Sequence, residues 1–461
     1  MLRIEGGRVS TNCAGVSRRS VLRAGFLGAA GLTLPDLYRL QAAAAADGKP
    51  KKNTACILIW LDGGPSQLET YDPKPEATEE VRGPWGAIET TIPGYRMSET
   101  MPCQAKVANK MSFIRSVYHG TGDHFAAGHK MLTGRFGSNA VNIPSMYPSV
   151  GSYVSRVRGS NSPELPAYVG VPAAHAIYVY PGYMGAAYMG PEYDPFQADW
   201  DNRYVGSGDT RKIGTPKLFK ASADTLRLSK RQHLLQQVDT LRRDMDRDGS
   251  IAKQDYYSQQ AMNLLLSSSV REAFDLDAEP EKLSERYGKS PWARYTLLAR
   301  RLVERGVTFV TVDMPHWDMH SSLKTSHERS GKVMDQAVAA LVSDLDERGM
   351  LDQVLVVVMG EFGRTPKFNK NGVPGSDPVP GRDHWGDAFS VAMAGGGLRK
   401  GQVIGATNHH AEHPVEDAQT PENILATIYH VLGVNPRQEF LDRQARPIPV
   451  LSEGEAIKGL I

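Results

Sequence analysis

The chain has 461 residues, 41% of them hydrophobic and 23% charged, with 45 Gly and 29 Pro, a composition that excludes a fibrous or disordered chain and allows a sizeable core. Lys and Arg number 53 against 51 Asp and Glu, a net charge of +2, without the basic excess of an electrostatic nucleic-acid binder. No stretch reaches the roughly 18 uninterrupted apolar residues of a membrane span.

Residues 1 to 46 read as an export peptide. Ser17-Arg18-Arg19-Ser20-Val21-Leu22-Arg23 precedes an uncharged, Gly-rich run from Ala24 to Leu34, and Ala42 to Ala46 offer small residues to a peptidase. The paired arginines resemble the twin-arginine signal, which implies the twin-arginine translocase as a partner and a periplasmic or extracellular destination. A basic amphipathic helix kept on the mature protein is the alternative. Without residues 1 to 46, 47 basic residues face 49 acidic ones, so the slight basicity belongs to the signal. The pathway carries folded proteins and suits one loaded with a cofactor before export. Cys56 and Cys103 remain after the signal; Cys56 lies in an apolar run and reads as a small buried hydrophobe, with a Cys56–Cys103 disulfide as the alternative.

From residue 47 onward, short continuous apolar runs at Ala55 to Leu61, Met111 to Val117, Val307 to Asp313 and Val354 to Met359 read as strands buried on both faces, the pattern of a parallel sheet. Trp292 to Arg305 and Val333 to Arg348 carry apolar residues at helical spacing. The alternation gives a largely parallel sheet with helices on both faces, where ligands bind beyond the carboxyl ends of the strands. Residues 215 to 290 stand apart as a helical insertion. It is expected to serve as a lid, an assembly surface or plain packing, and the oligomeric state stays open. Within it, Asp244-Met245-Asp246-Arg247-Asp248-Gly249, with Ile251 and Asp255 behind, copies the start of a calcium loop, although Asp255 is shorter than the usual bidentate Glu.

Polar residues gather where the predicted strands end. Asp62 closes the first, His316, Asp318 and His320 follow the third, and Glu361 follows the fourth. Asp383 and His384 come from a later loop rich in Gly and Pro. Carboxylates and imidazoles from four segments are the donors that a divalent cation such as zinc or manganese requires. The competing explanation is that Asp62 and Glu361 cap helices and the histidines are hydrogen-bonded loop residues.

Six ordered motifs resemble the exported bacterial family called domain of unknown function 1501. They are Trp60-Leu61-Asp62-Gly63-Gly64-Pro65-Ser66, Asp72-Pro73-Lys74-Pro75, Met131-Leu132-Thr133-Gly134-Arg135, Trp317-Asp318-Met319-His320, Gly360-Glu361-Phe362-Gly363-Arg364-Thr365-Pro366 and Gly381-Arg382-Asp383-His384-Trp385. That family is itself similar to the alkaline phosphatase and sulfatase superfamily. The resemblance implies a three-layer α/β/α sandwich over residues 47–461, one or two divalent ions (zinc, manganese or calcium), and hydrolysis of an anionic phosphate or sulfate ester, carbohydrate-linked among the options. It also implies that Asp62 and Glu361 serve one metal, and Asp318, His320 and His384 the other.

The departures from that pattern bear on mechanism. Where sulfatases place a modified Cys and phosphatases a Ser or Thr, this chain has His124 or its neighbour Asp123, and no Cys-x-Pro-x-Arg or Cys-x-Ala-x-Arg segment exists. Phe362 stands where a second metal would want an imidazole. Hydrolysis by metal-activated water is the economical mechanism. His119, Asp123, His124 and His129 crowd one stretch, and His124 is expected to be a ligand or an acid/base. Thr121 and Ser66 are the hydroxyl alternatives, with loop capping as their ordinary role. Arg364 is expected either to fork onto an ester oxygen or to form a structural ion pair. A noncatalytic protein that holds a metal or glycan in the same pocket is the alternative to an enzyme.

Overall fold

The computed structural model describes residues 53–137, 146–172, 183–197, 267–369 and 380–461. Residues 1–46, where an export peptide is expected, the Asp244–Asp255 loop and residues 215–266 of the expected helical insertion lie outside these. Every residue of the first apolar run, β1 (Ala55–Trp60), is buried, because it has strands on both sides and helices on both faces. The other strands of its sheet are β2 (Met111–Val117), β3 (Tyr168–Val171), β4 (Phe196–Gln197), β5 (Phe309–Asp313), β6 (Val354–Met359), β7 (Phe389–Gly395) and β8 (Val403–Ile404). They lie in the order β8-β2-β7-β6-β1-β5-β3-β4. β1 pairs in parallel with β5 and β6, β3 with β5 and β4, and β8 with β2. β7 runs against both its neighbours.

The main helices are α1 (His124–Thr133), α2 (Val150–Arg158), α3 (Ser268–Phe274), α4 (Glu281–Tyr287), α5 (Pro291–Glu304), α6 (Leu323–Glu347) and α7 (Pro421–Leu432). Side chains alternate across a strand, and β1 divides between two cores accordingly. Ile57 and Ile59 pack with Leu298 and Leu302 of α5 and Val338 and Leu341 of α6. Cys56, Leu58 and Trp60 pack with Leu132 of α1, Tyr153 of α2, and Leu425 and Ile428 of α7. The result is a three-layer α/β/α sandwich with a mostly parallel sheet, as expected. No helix among the described residues is long and apolar enough to cross a membrane.

Differences from the sequence expectation have local causes. α6 starts at Leu323, ten residues before Val333, because its first turns bury only Leu323, His327 and Gly331 and carry too weak an apolar stripe to read. β7, in which Ser390, Ala392, Ala394 and Gly395 dilute the apolar run of Phe389, Val391 and Met393, goes unpredicted despite full burial. β3 and β4 are too short to stand out. Of the 215–290 region, α3 and α4 are described and are helical. Cys56 and Cys103 are both free thiols, so the disulfide alternative fails.

Leu58 is fully buried in the central strand. Leu58→Ala should cost about 2–5 kcal/mol, the sum of lost transfer energy and an unfilled cavity. A lower urea midpoint with an unchanged m-value is the expected reading.

Candidate metal centre

Register brings the site loops to one edge. Trp60 is level with Asp313 of β5 and with Met359 of β6, so the segments after these residues emerge side by side. The Trp317 amide donates to the Asp62 carbonyl at 3.0 Å, and the Asp62 amide to the Met314 carbonyl at 3.2 Å. Such close backbone approach needs glycine at position 63: its φ is +113° and a Cβ would fall 2.3 Å from the Asp318 amide nitrogen, a conformation and a space that only Gly accepts. A two-residue antiparallel ribbon, Gly363–Arg364 against His384–Trp385, carries His384 back to the same edge. α1 begins at His124, with Asp123 as its N-cap.

These segments converge on one cluster. Donor atoms of His124, Asp318, His320 and His384 all lie within 4.8 Å of one another. Asp318 Oδ1 is 2.9 Å from His320 Nε2 and 3.1 Å from His384 Nε2, and Asp318 Oδ2 is 3.4 Å from His124 Nε2. The Nε2 atoms of His320 and His384 are 2.8 Å apart. Each ring has its opposite nitrogen engaged: His124 Nδ1 lies 2.7 Å from Glu361 Oε1, His320 Nδ1 2.7 Å from Asp383 Oδ1, and His384 Nδ1 2.7 Å from the Gly122 carbonyl. An acceptor at Nδ1 favours the proton there and turns the Nε2 lone pair inward. Two Nε2 lone pairs facing each other at 2.8 Å repel unless a positive species lies between them. The donor set therefore fits a divalent cation, held by three imidazoles and one carboxylate.

With protein groups alone, protons carry that positive charge. Burial opposes ionisation of His124, but bonds to Asp318 and Glu361 outweigh it and push the imidazole up to about 9. His320 is raised chiefly by Asp318, while burial lowers His384 against the pull of Asp318. Burial also works against the charge on Asp318, yet hydrogen bonds from His124, His320 and His384 and the nearby Arg364 hold its carboxyl below the usual range.

Asp62 and Glu361 stand outside the four-residue set. Glu361 is fully buried and accepts the Gly63 amide on both oxygens as well as His124. Asp62 is 2% exposed, and its oxygens make no hydrogen bond of normal geometry; burial, then Asp313 and Glu361, push its carboxyl upward, with the Trp60 indole partly offsetting them. Arg364 does not face solvent, which rules out the fork onto an ester: it is fully buried and donates to the carbonyls of Gly63, Gly64 and Arg382 and, at 2.7 Å, to Asp318 Oδ1. The Asp123 carboxylate accepts the Ala126 amide, the cap of α1, and Thr121 Oγ1 accepts the Asp123 amide. Both are turn-forming contacts. His119 bonds the Glu361 carbonyl and His129 the Arg135 carbonyl, so of that crowded stretch His124 alone joins the cluster.

One participant escaped the sequence reading, and a second was singled out without its role. Asp313 is buried beside Asp62 and Glu361, and burial and Glu361 raise its carboxyl; the signal was an acidic residue ending an apolar strand in step with Trp60. Asp383 orients His320, which its place next to His384 could have suggested.

A chain with this sheet and this edge-of-sheet cluster falls in the α/β class whose sites are built from strand-end loops. It belongs to the family described as protein of unknown function DUF1501, whose model matches residues 53–461. Among curated proteins, none matches the chain. Solved structures similar to it include the lipoteichoic acid synthase LtaP from Listeria monocytogenes, at 10% identity over 84% of this chain and 73% of that one, with a TM-score of 0.38. The phosphonate monoester hydrolase SpPMH from Silicibacter pomeroyi matches at 12% identity over 88% and 76%, with a TM-score of 0.39. The PsFucS1 sulfatase from Pseudoalteromonas sp. matches at 15% identity over 86% and 70%, with a TM-score of 0.36.

Two outcomes follow from this geometry. Arg364→Ala, which strands buried carbonyls and removes a charge partner of Asp318, should cost about 3 kcal/mol or more in chemical unfolding. In metal-free protein, the stabilisation from His124 should be fully present below its ordinary value near 6.5 and lost as pH rises through about 9, since a raised folded-state pKa favours the protonated native form. Unfolding midpoints should fall across that window, and His124→Gln should flatten the fall.

Proposed function

We propose that the chain is an exported hydrolase of phosphate or sulfate esters that depends on a divalent cation. The observation that carries this reading is the convergence of His124, Asp318, His320 and His384 within 4.8 Å, each imidazole with its Nδ1 already committed. The order of the motifs, which resembles that of the phosphatases and sulfatases, supports the choice of ester hydrolysis. A divalent cation held by His124, Asp318, His320 and His384 would polarise an ester oxygen and lower the pKa of a bound water towards about 7.

The chain's own residues supply position and access. Glu361 and Asp383 hold the Nδ1 protons of His124 and His320, which fixes the rings and raises their basicity. Arg364 fixes Asp318 through Oδ1. The Asp318 side chain is 36% exposed and those of His320 and His384 are 24% and 22% exposed, so the cluster opens to solvent where an anionic ester, carbohydrate-linked or not, can approach. Water is the nucleophile in this reading. Thr121 Oγ1 is used in its turn, Ser66 is buried, and His124 has a carboxylate at each nitrogen.

Three nitrogens and one carboxylate oxygen suit zinc or manganese, whereas calcium takes oxygen donors. Of the three ions that the sequence allows, calcium is therefore disfavoured at this cluster. Export through the twin-arginine translocase after folding would let the ion be loaded beforehand.

Metal analysis and a panel of chromogenic phosphate and sulfate esters test the reading together. Chelation should abolish turnover, zinc or manganese but not calcium should restore it, and Asp318→Ala or His384→Ala should lower kcat/KM by about 100-fold or more. Tight metal binding with no turnover on any ester would leave a noncatalytic binding protein, the reading that the lack of a Ser, Thr or Cys at the first residue of α1 favours.

A further inference from the structure

The motif order implies a second ion position at Asp62 and Glu361; the Asp62 oxygens are buried there without a hydrogen bond of normal geometry, yet Glu361 is already engaged. Glu361 takes the Gly63 amide at 3.0 and 3.2 Å and His124 Nδ1 at 2.7 Å, so its oxygens are occupied by protein donors. Phe362, the next residue, is fully buried. Its ring centroid stands 4.8 Å from that of His124 and 4.5 Å from that of His384, and the Arg364 guanidinium carbon lies 5.7 Å away. Gly64 backs the ring so closely that a Cβ there would come within 2.4 Å of it. An apolar ring thus fills the flank of the cluster, at the position after Glu361. Among the described residues, the donor set within mutual reach includes His124 and neither Asp62 nor Glu361.

We propose that the centre takes one divalent cation, with His124 as its fourth protein ligand, Glu361 as a positioning residue acting through His124, and the Phe362 ring closing the place of a second ion. This rests on the metal-centre reading above and narrows it. The residue at the start of α1, where the motif pattern puts a nucleophile, becomes a ligand. The carboxylate that the pattern offers as a ligand becomes the support of that ligand. Such outer partners tune affinity without adding an ion.

The test is a count of ions on the full chain, stripped with chelator, reloaded with zinc or manganese, desalted and assayed by atomic spectroscopy, with affinities from calorimetry. One ion per chain is expected. Glu361→Gln, whose amide oxygen can still accept from His124, should keep one ion with affinity weakened about 10- to 100-fold. Asp62→Asn should keep one ion at unchanged affinity, and His124→Ala should weaken it beyond Glu361→Gln. Two ions per wild-type chain, falling to one in Glu361→Gln or Asp62→Asn, would overturn this inference and leave the metal centre standing. A single ion lost in Asp62→Asn but indifferent to His124→Ala would also overturn it. No ion bound at all would sink the metal-centre reading itself. The wild-type count decides between one ion and two even if a variant fails to fold.

Discussion

The buried guanidinium of Arg364 is the point on which the site depends. A charge taken fully out of water must be matched by acceptors, and Arg364 finds them on three loops: the carbonyls of Gly63 and Gly64 after β1, Asp318 after β5, and the Arg382 carbonyl before His384. Those loops deliver the donors of the cluster or pack directly against it. A second buried arginine repeats the device one step further out, where Arg382 clasps the buried Glu69 and the Val81 carbonyl. The loop that carries Asp383 and His384 is thus held by buried charge as well as by its short ribbon with Gly363–Arg364.

The same edge concentrates negative charge. Asp62, Asp313 and Glu361 are buried together, and Asp318 and Asp383 face the cluster from the solvent side. Hydrogen bonds from the imidazoles and the nearby Arg364 keep Asp318 ionised, whereas burial, then the neighbouring carboxylates, drive Asp62 and Asp313 towards their neutral forms. An edge so rich in carboxylates favours a cationic guest on electrostatic grounds, independently of ligand geometry.

Much of this was legible before any coordinates. The runs at 111–117 and 354–359 coincide with β2 and β6 because continuous apolar stretches between turn residues have few other uses. Asp318, His320 and His384 could be singled out because they follow strand ends or sit in a Gly-rich loop, and strand ends of a parallel sheet share one edge. What sequence spacing could not convey is which atom faces which. Glu361 follows β6 as expected, but its oxygens point to Gly63 and His124. Arg364 has the chemistry of an anion fork and the burial of a scaffold residue. The partner of His320, Asp383, comes from the residue beside another imidazole of the cluster, a pairing that the ribbon of Gly363–Arg364 with His384–Trp385 creates.

The three imidazoles of the cluster rest on unlike acceptors. His124 and His320 lean on carboxylates, whereas His384 leans on the neutral peptide oxygen of Gly122. A carboxylate draws the Nδ1 proton outward and leaves the far nitrogen richer in electrons; a peptide oxygen does so less. The rings are therefore graded donors, and His384 is the weakest hand of the three. It is also the one whose anchor sits in the loop leading into α1, so a shift of Gly122 would reach the His384 ring directly.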